Sequence, residues 1–235
     1  MIWWVKLLHP KLSLIFPAFN EEKNIALLIE QALPFIASHC AEIIVVDDGS
    51  TDQTVAEIER YSEQVILVRH ERNKGYGAAL RSGFAVARGS WIFFSDSDLQ
   101  FRLTSLHQFW SYTDSFDLII GYRSPRKDFL LRRFNAKLWT TLVNRSLGLC
   151  IQDVNCAFKL FRREGLQDIS LHAQGASINA ELLSKLSHYR LIQLPLEHLP
   201  RVQGKQTGAH PVVIVRALWE LVCLLWESDS RVRKP

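Results

Sequence analysis

The sequence predicts an α/β domain with a mostly parallel central sheet flanked by helices, and three observations carry that expectation. Short β-branched apolar runs alternate with amphipathic stretches through the first half of the 235-residue chain. The clearest of these runs, EIIVVDD, is apolar on both faces, as in a strand covered on each side. Polar or acidic clusters, PAFNEE, DDGSTD and DSDLQ, follow three of the runs. That is where ligands sit in an open parallel sheet, beyond the carboxyl ends of its strands.

Taken in order, LSLIFP (12–17) is a first strand stopped by its proline. NEEKNIALLIEQALPFI then sets Ile25, Leu28, Ile29 and Leu33 on one helical face. EIIVVDD (42–48) is the second strand. GSTDQTVAEIERYS turns at Gly49 and opens a helix with Ser50, Thr51 or Asp52 as its N-cap. VILVRH (65–70) is a third strand, GYGAALRSGFAVARG a small-residue helix closed by Gly89, SWIFFSD (90–96) a fourth strand and FDLIIGYR (116–123) a fifth. Such alternation implies parallel strands joined by right-handed crossovers. After Arg123 it breaks. SPRKDFLLRRFNAKLWTTLVNRSLG is basic and then helical, CAFKLFRR reads as a short strand, SINAELLSKLSHY as a helix and RLIQLPLEHLPR as a strand. No repeat or linker divides the chain, so a single domain is expected.

Composition narrows the function classes. Hydrophobic residues at 48% and charged residues at 22% exclude disorder, and a net charge of +4 permits an anionic partner without requiring one. No nucleic acid is expected. Cys40, Cys150, Cys156 and Cys223 form no CxxC pair and the histidines show no HxxxH or HExxH spacing, which argues for reduced thiols and against zinc. The first residues, MIWWVKLLHPKLSLIFP, do not read as a signal peptide. PVVIVRALWELVCLLW near the other end is shorter than the ~20 residues of a spanning helix and is broken by Arg216 and Glu220. The expected location is cytoplasmic, peripheral on the membrane face.

The most informative stretch is FFSDSDLQF. Two carboxylates one residue apart at the end of an apolar strand repel each other, unless solvated or bridged by a cation. On an extended segment Asp96 and Asp98 converge on one side, with Gln100 following. Acceptor-only oxygen ligands of this kind suit Mg²⁺ or Mn²⁺ shared with a diphosphate. A dinucleotide site is rejected: no G-x-G-x-x-G follows the first strand, and the GYG at Gly75 and Gly77 has Leu80 in place of the third small residue.

PAFNEEKNI, IIVVDDGSTDQT, NKGYGAAL and SDSDLQF together resemble the successive nucleotide-sugar motifs of family 2 glycosyltransferases of GT-A fold, nearest to the dolichyl-phosphate mannose synthase-like branch with its D-x-D-L-Q. GYR, DVNCAFKLFRR and PRVQGKQTG resemble that branch's later segments, with Cys156-Ala157 in place of a small-Gly pair and Lys159 where Arg is common. The resemblance implies a metal-dependent, inverting transferase moving a sugar from a nucleotide-diphosphate sugar to a polyprenyl phosphate. It assigns the nucleotide sugar to Pro17, Phe19, Glu21, Val46, Asp47, Asp48, Lys74, Asp96 and Ser97, and the metal to Asp96, Asp98 and Gln100. Asp98, Arg123 and Asp153 would be catalytic. Arg123, Arg132, Arg133, Arg201 and Lys205 would hold an acceptor phosphate. Residues about 12–123 would form the nucleotide-sugar half and about 124–211 the acceptor half of a domain spanning 1–211, with 212–235 an amphipathic helix and basic tail.

Alternatives stay open at this point. A lipid phosphate is already anionic and needs only cations, whereas a saccharide hydroxyl needs a base, for which Asp153 is the best candidate. Glu21 alternatively opens the following helix, and Glu181 either supports the acceptor or is a helix-surface acid. A nucleotidyltransferase also uses paired aspartates. The 212–226 helix, with Trp3, Trp4 and RVRKP, either lies on a membrane surface or packs on the domain.

Overall fold

The computed structural model describes residues 10–125, 130–200 and 211–232. In chain order the elements are β1 (Leu12–Ala18), α1 (Ile25–Ser38), β2 (Ala41–Asp47), α2 (Thr54–Glu59), β3 (Val65–Arg69), α3 (Tyr76–Val86), β4 (Trp91–Phe94), α4 (Leu106–Trp110), β5 (Leu118–Arg123), α5 (Leu130–Leu147), β6 (Lys159–Arg162), α6 (Ile178–Lys185), β7 (Leu191–Leu196) and α7 (Pro211–Val232). The seven strands form one sheet in the order β3-β2-β1-β4-β6-β5-β7. Every pairing is parallel except those of β6, which runs against both β4 and β5.

The expected strands and helices are all present, with two adjustments. β4 stops at Phe94, two residues short of the expected end at Asp96, so the acidic pair belongs to the loop beyond it. β4 and β5 are not neighbours: the later β6 lies between them. All three segments are short apolar runs, and nothing in such runs encodes which lies beside which.

Alternation along the strands builds the two faces. Leu14, Phe16, Ile43 and Val45 pack toward α1 and α4, while Ile15, Ile44 and Val46 pack beneath Leu80 and Phe84 of α3. Aromatic edges join the two halves of the chain: Phe93 meets Phe16 at 6.5 Å and Phe158 at 4.6 Å, and Phe158 meets Phe109 at 4.8 Å.

Pro17 explains how β1 opens toward a site. The Ser95 N–H bonds Ile15 O, so the odd residues of β1 turn their amides toward β4. Pro17 shares that side, but the β4 ladder has ended at Phe94 and no donor is missed there. Its carbonyl instead accepts the Ser97 hydroxyl at 2.8 Å, tying the acidic loop to the end of β1.

At the opposite end of the sheet, buried Glu42 accepts from Ser13 Oγ (2.6 Å), Arg88 N (2.6 Å) and Gly89 N (3.2 Å), and pairs with the Arg88 guanidinium at 3.1 Å. Glu42→Ala removes the acceptor of the Arg88 amide and of the Ser13 hydroxyl, while Gly89 N keeps Ser13 Oγ at 2.8 Å. The substitution should cost about 2–4 kcal/mol, read as a fall in the urea midpoint with an unchanged m-value.

Candidate active site

The three loop clusters meet at the C-terminal edge of the parallel strands, where the chain order reverses on either side of β1. The first two are laced together. Asn20, at φ 56°, donates its N–H to Ser50 Oγ (2.9 Å) and accepts from Thr51 N (2.8 Å), and Glu21 N donates to Thr54 Oγ1 (2.8 Å). Glu21 also accepts the Asn24 side-chain amide at 2.6 Å, one turn before α1. Phe19 is 43% exposed at the rim, while Val46 is fully buried under α3.

Asp47 accepts Ser50 N in a tight turn that ends on Gly49 and Ser50. Asp48 is buried and takes three donors: Lys74 N (2.9 Å), Gly75 N (2.8 Å) and His70 Nδ1 (2.7 Å). It therefore closes the loop between β3 and α3, leaving the Lys74 side chain at an exposed position.

The acidic loop is shaped by an unusual backbone. Leu99 is buried at φ 57°, a left-handed conformation that costs an L-residue about 1–2 kcal/mol. The turn lets Asp98 Oδ1 accept Gln100 N at 3.2 Å. Gln100 does not continue an extended line behind the aspartates. It is held by Leu199, whose N–H bonds Gln100 O at 2.9 Å and whose carbonyl faces its side-chain amide.

Asp96 and Asp98 do face each other electrostatically. Burial, and then the Asp98 charge, push the Asp96 carboxyl up to about 7, with Tyr76, Arg123 and Lys159 pulling the other way. Part of Asp96 still reaches solvent. The Tyr76 hydroxyl is buried beside Asp96 and Asn179 without a hydrogen bond of good geometry to either. Arg123, at the end of β5, reaches Asp153 with Nε at 2.6 Å and Nη2 at 2.8 Å, a two-point ion pair buried on both sides. Fully buried Lys159 donates to Val154 O (3.1 Å) and Cys156 O on the loop that carries Asp153, and to Asn179 Oδ1 (2.7 Å) on α6, so all three of its protons are spent. Burial lowers Lys159 to about 8 and pushes the Cys156 thiol up to about 12, which makes that cysteine an inert part of the core.

No three His, Cys, Asp or Glu side chains converge among the described residues. The pair fits a divalent ion that completes its shell from a diphosphate and water, because two acceptor-only groups in a desolvated place lack positive charge. The raised Asp96 pKa is the sign of that shortage.

The family model described as Glycosyl transferase family 2 matches residues 13–170. The chain belongs to glycosyl transferase family 2. It is 34% identical over 204 residues to a dodecaprenyl-phosphate galacturonate synthase from Rhizobium johnstonii, an alignment covering 83% of this chain and 60% of that protein's length. Its fold is similar to that of glucosyl-3-phosphoglycerate synthase from Mycobacterium tuberculosis. The match is at TM-score 0.75 and 19% identity to the complex with Mg²⁺ and UDP, covering 92% of this chain and 79% of the other. The complex with Mn²⁺, UDP-glucose and phosphoglyceric acid gives TM-score 0.72 at 20% identity, covering 92% and 80%. The fold is thus GT-A.

Within this family 2 domain, Asp96, Asp98, Arg123 and Asp153 come together, as do the loops bearing Pro17, Phe19, Asp47 and Asp48. Arg133 lies on the exposed surface of α5. Arg201 and Lys205 fall outside the described residues, as do Trp3, Trp4 and the last three residues, and the Arg132 side chain is not described. Sequence reasoning missed Tyr76 and Asn179. Tyr76 was in view inside GYG, but only folding brings it to Asp96.

Because the folded Asp96 pKa lies above its unfolded value, this group's contribution to stability falls as pH rises from about 4 to about 7. In EDTA, Asp96→Asn should flatten that decline. At pH 7.5 it should raise stability by about 1–2 kcal/mol, a figure reduced for the solvent that reaches the carboxyl. Thermal melts across pH check both; a variant less stable than wild type at pH 7.5 contradicts the repulsion.

Proposed function

We propose that this protein transfers a sugar from a nucleoside-diphosphate sugar to a polyprenyl phosphate, with inversion, using Mg²⁺ or Mn²⁺ held by Asp96 and Asp98, with Gln100 positioning Asp98 through its amide. The observation that carries the reading is the Asp96–Asp98 pair set opposite the Arg123–Asp153 ion pair at the mouth of a GT-A sheet. A donor diphosphate needs the first, and an anionic acceptor needs the second.

Residues about 12–123 would form the donor half. Pro17, Phe19, Glu21, Val46, Asp47, Asp48, Lys74 and Ser97 supply the walls and loop ties of the nucleotide site, many of them through backbone that their side chains hold in place. When bound, the divalent ion stabilises the charge that develops on the departing diphosphate. Residues about 124–211 would form the acceptor half, and Arg123 at its border attracts and orients the acceptor phosphate, aided by Arg132, Arg133, Arg201 and Lys205. Asp153 has both oxygens engaged by Arg123, which suits a residue that aims a guanidinium better than one that collects a proton. A phosphate acceptor needs no base, so the two features agree. The dodecaprenyl-phosphate relative supports the same acceptor class.

The purified protein with Mn²⁺, labelled UDP- and GDP-sugars and undecaprenyl phosphate should yield label that partitions into organic solvent. Label found only in a water-soluble glycan would favour a hydroxyl acceptor instead. Asp98→Asn should lower turnover at least about 100-fold while the fold persists, checked by circular dichroism.

The same reading assigns a surface. α7 exposes Val215, Leu218, Trp219, Val222 and Trp226 along one side, and neighbouring α5 exposes Phe134, Leu138 and Leu142. α5 carries four basic residues and no acid. Among the described residues no helix is long and apolar enough to cross a membrane. Two apolar stripes beside a basic helix suit the interface of an anionic bilayer, where a polyprenyl phosphate resides. Trp219→Glu with Trp226→Glu should reduce co-sedimentation with phosphatidylglycerol vesicles about tenfold or more. Unchanged sedimentation, or loss of a dimer in its place, would assign the stripes to another occupant.

A further inference from the structure

We infer that Glu220, on α7, is a positioning residue for the donor site: it holds a strap, residues 172–175, against the first turn of α3 and so keeps Tyr76 beside Asp96. The inference rests on the donor site proposed above for its functional meaning, and on geometry for the rest.

Four successive backbone amides of the strap are held by two carboxylates. His172 N and Ala173 N donate to Glu181 at 2.9–3.0 Å, and Gln174 N and Gly175 N donate to Glu220 Oε1 at 3.0 and 3.3 Å. Glu181 is buried and paired with Lys185 at 2.8 Å. The strap's carbonyls point the other way, into α3. Gln174 O accepts Gly77 N at 2.7 Å, and Ala173 O accepts the Arg81 guanidinium. This contact requires glycine on α3. A Cβ at Gly75 would stand 2.6 Å from Gln174 O, and one at Gly77 would stand 2.3 Å from Ala173 O. Tyr76 lies between those glycines, with its phenol at Asp96 and Asn179.

Core packing holds Ala173, but the side of the strap that faces α7 is open. Behind it lies a cavity of about 470 Å³ lined in part by His172, Gln174, Arg216, Trp219, Glu220 and Leu224. On that open side Gln174 and Gly175 are held by hydrogen bonds to their amides, and Glu220 supplies them. The second Glu220 oxygen, Oε2, is buried with no hydrogen-bond partner among the described residues. Glu220 also lies on the helix whose outer side exposes Trp219 and Val222, so one turn of α7 presents both an unpartnered apolar surface and the clamp of a donor-site wall.

The test compares the full chain with Glu220→Ala, with Glu220→Gln, which keeps the accepting oxygen, and with Asp117→Ala. The last removes a carboxylate that ties Arg162 and Arg190 just before β5, at the edge of the sheet away from the acidic loop. Two readouts are taken: hydrogen exchange of the 72–80 peptide, and affinity for UDP with Mn²⁺. Glu220→Ala should speed exchange of that peptide about tenfold and weaken UDP–Mn²⁺ about tenfold. Glu220→Gln should restore both, and Asp117→Ala should move neither. Unchanged exchange in Glu220→Ala overturns the inference, as does faster exchange with undiminished affinity, or an equal loss in Asp117→Ala. If wild type binds no UDP–Mn²⁺, that donor assignment fails by itself, and the exchange comparison still decides whether Glu220 holds the α3 turn. Should the alanine variant not fold, Glu220→Ser, too short to reach the strap, takes its place.

Discussion

Two carboxylates must be kept close together in a place that protein, not water, surrounds. The free energy for this comes from elsewhere in the chain. The left-handed turn at Leu99 fixes how Asp98 leaves the sheet, Ser97 ties the loop to Pro17, and Leu199 holds Gln100 from the far side of the sequence. Counter-charge arrives from the second half as Arg123 and Lys159, each of which acts on Asp96. Neither is loose: Arg123 is gripped by Asp153, and Lys159 by two carbonyls and Asn179. A pair of like charges can stay in a desolvated site when the opposing cations are fixed as firmly as the pair itself. The shift of Asp96 to about 7 is the cost of burial with the Asp98 charge added, left over after those cations act, and a bound cation would offset it.

The donor loops were legible because each is a contiguous run at a strand end, so spacing alone located them. The fold class followed from the same alternation. Strand order was not legible, since WIFF, LIIGYR and KLFR carry no label for their neighbours, and the insertion of β6 between β4 and β5 is decided by packing such as Phe93 on Phe158. Asp153 drew attention as a base, and sequence could not reveal that its two oxygens meet Arg123. Lys159 stood out only as a departure from an arginine, whereas folding makes it a buried ammonium with three acceptors. The strap was wholly hidden. Its contacts join residues as far apart as Arg81 and Ala173, and each partner alone reads as an ordinary glycine, glutamate or loop position.

The reversed direction of β6 has a consequence for how the loops at the edge of the sheet are completed. Its register runs from Trp91 opposite Arg162 to Phe94 opposite Lys159, so the start of β6 lies at the same edge as the ends of the parallel strands. The chain therefore delivers the 153–156 segment from outside the sheet, through an entrance rather than an exit. Within the sheet only the short antiparallel β4–β6 seam joins the two sets of strands, and the other ties between them, Leu199 to Gln100 and the 172–175 strap to α3 among them, run through loops at the same edge. The β1–β4 ladder is thus complete without β6, while the loops at its edge are finished by residues that arrive from the far side of the seam.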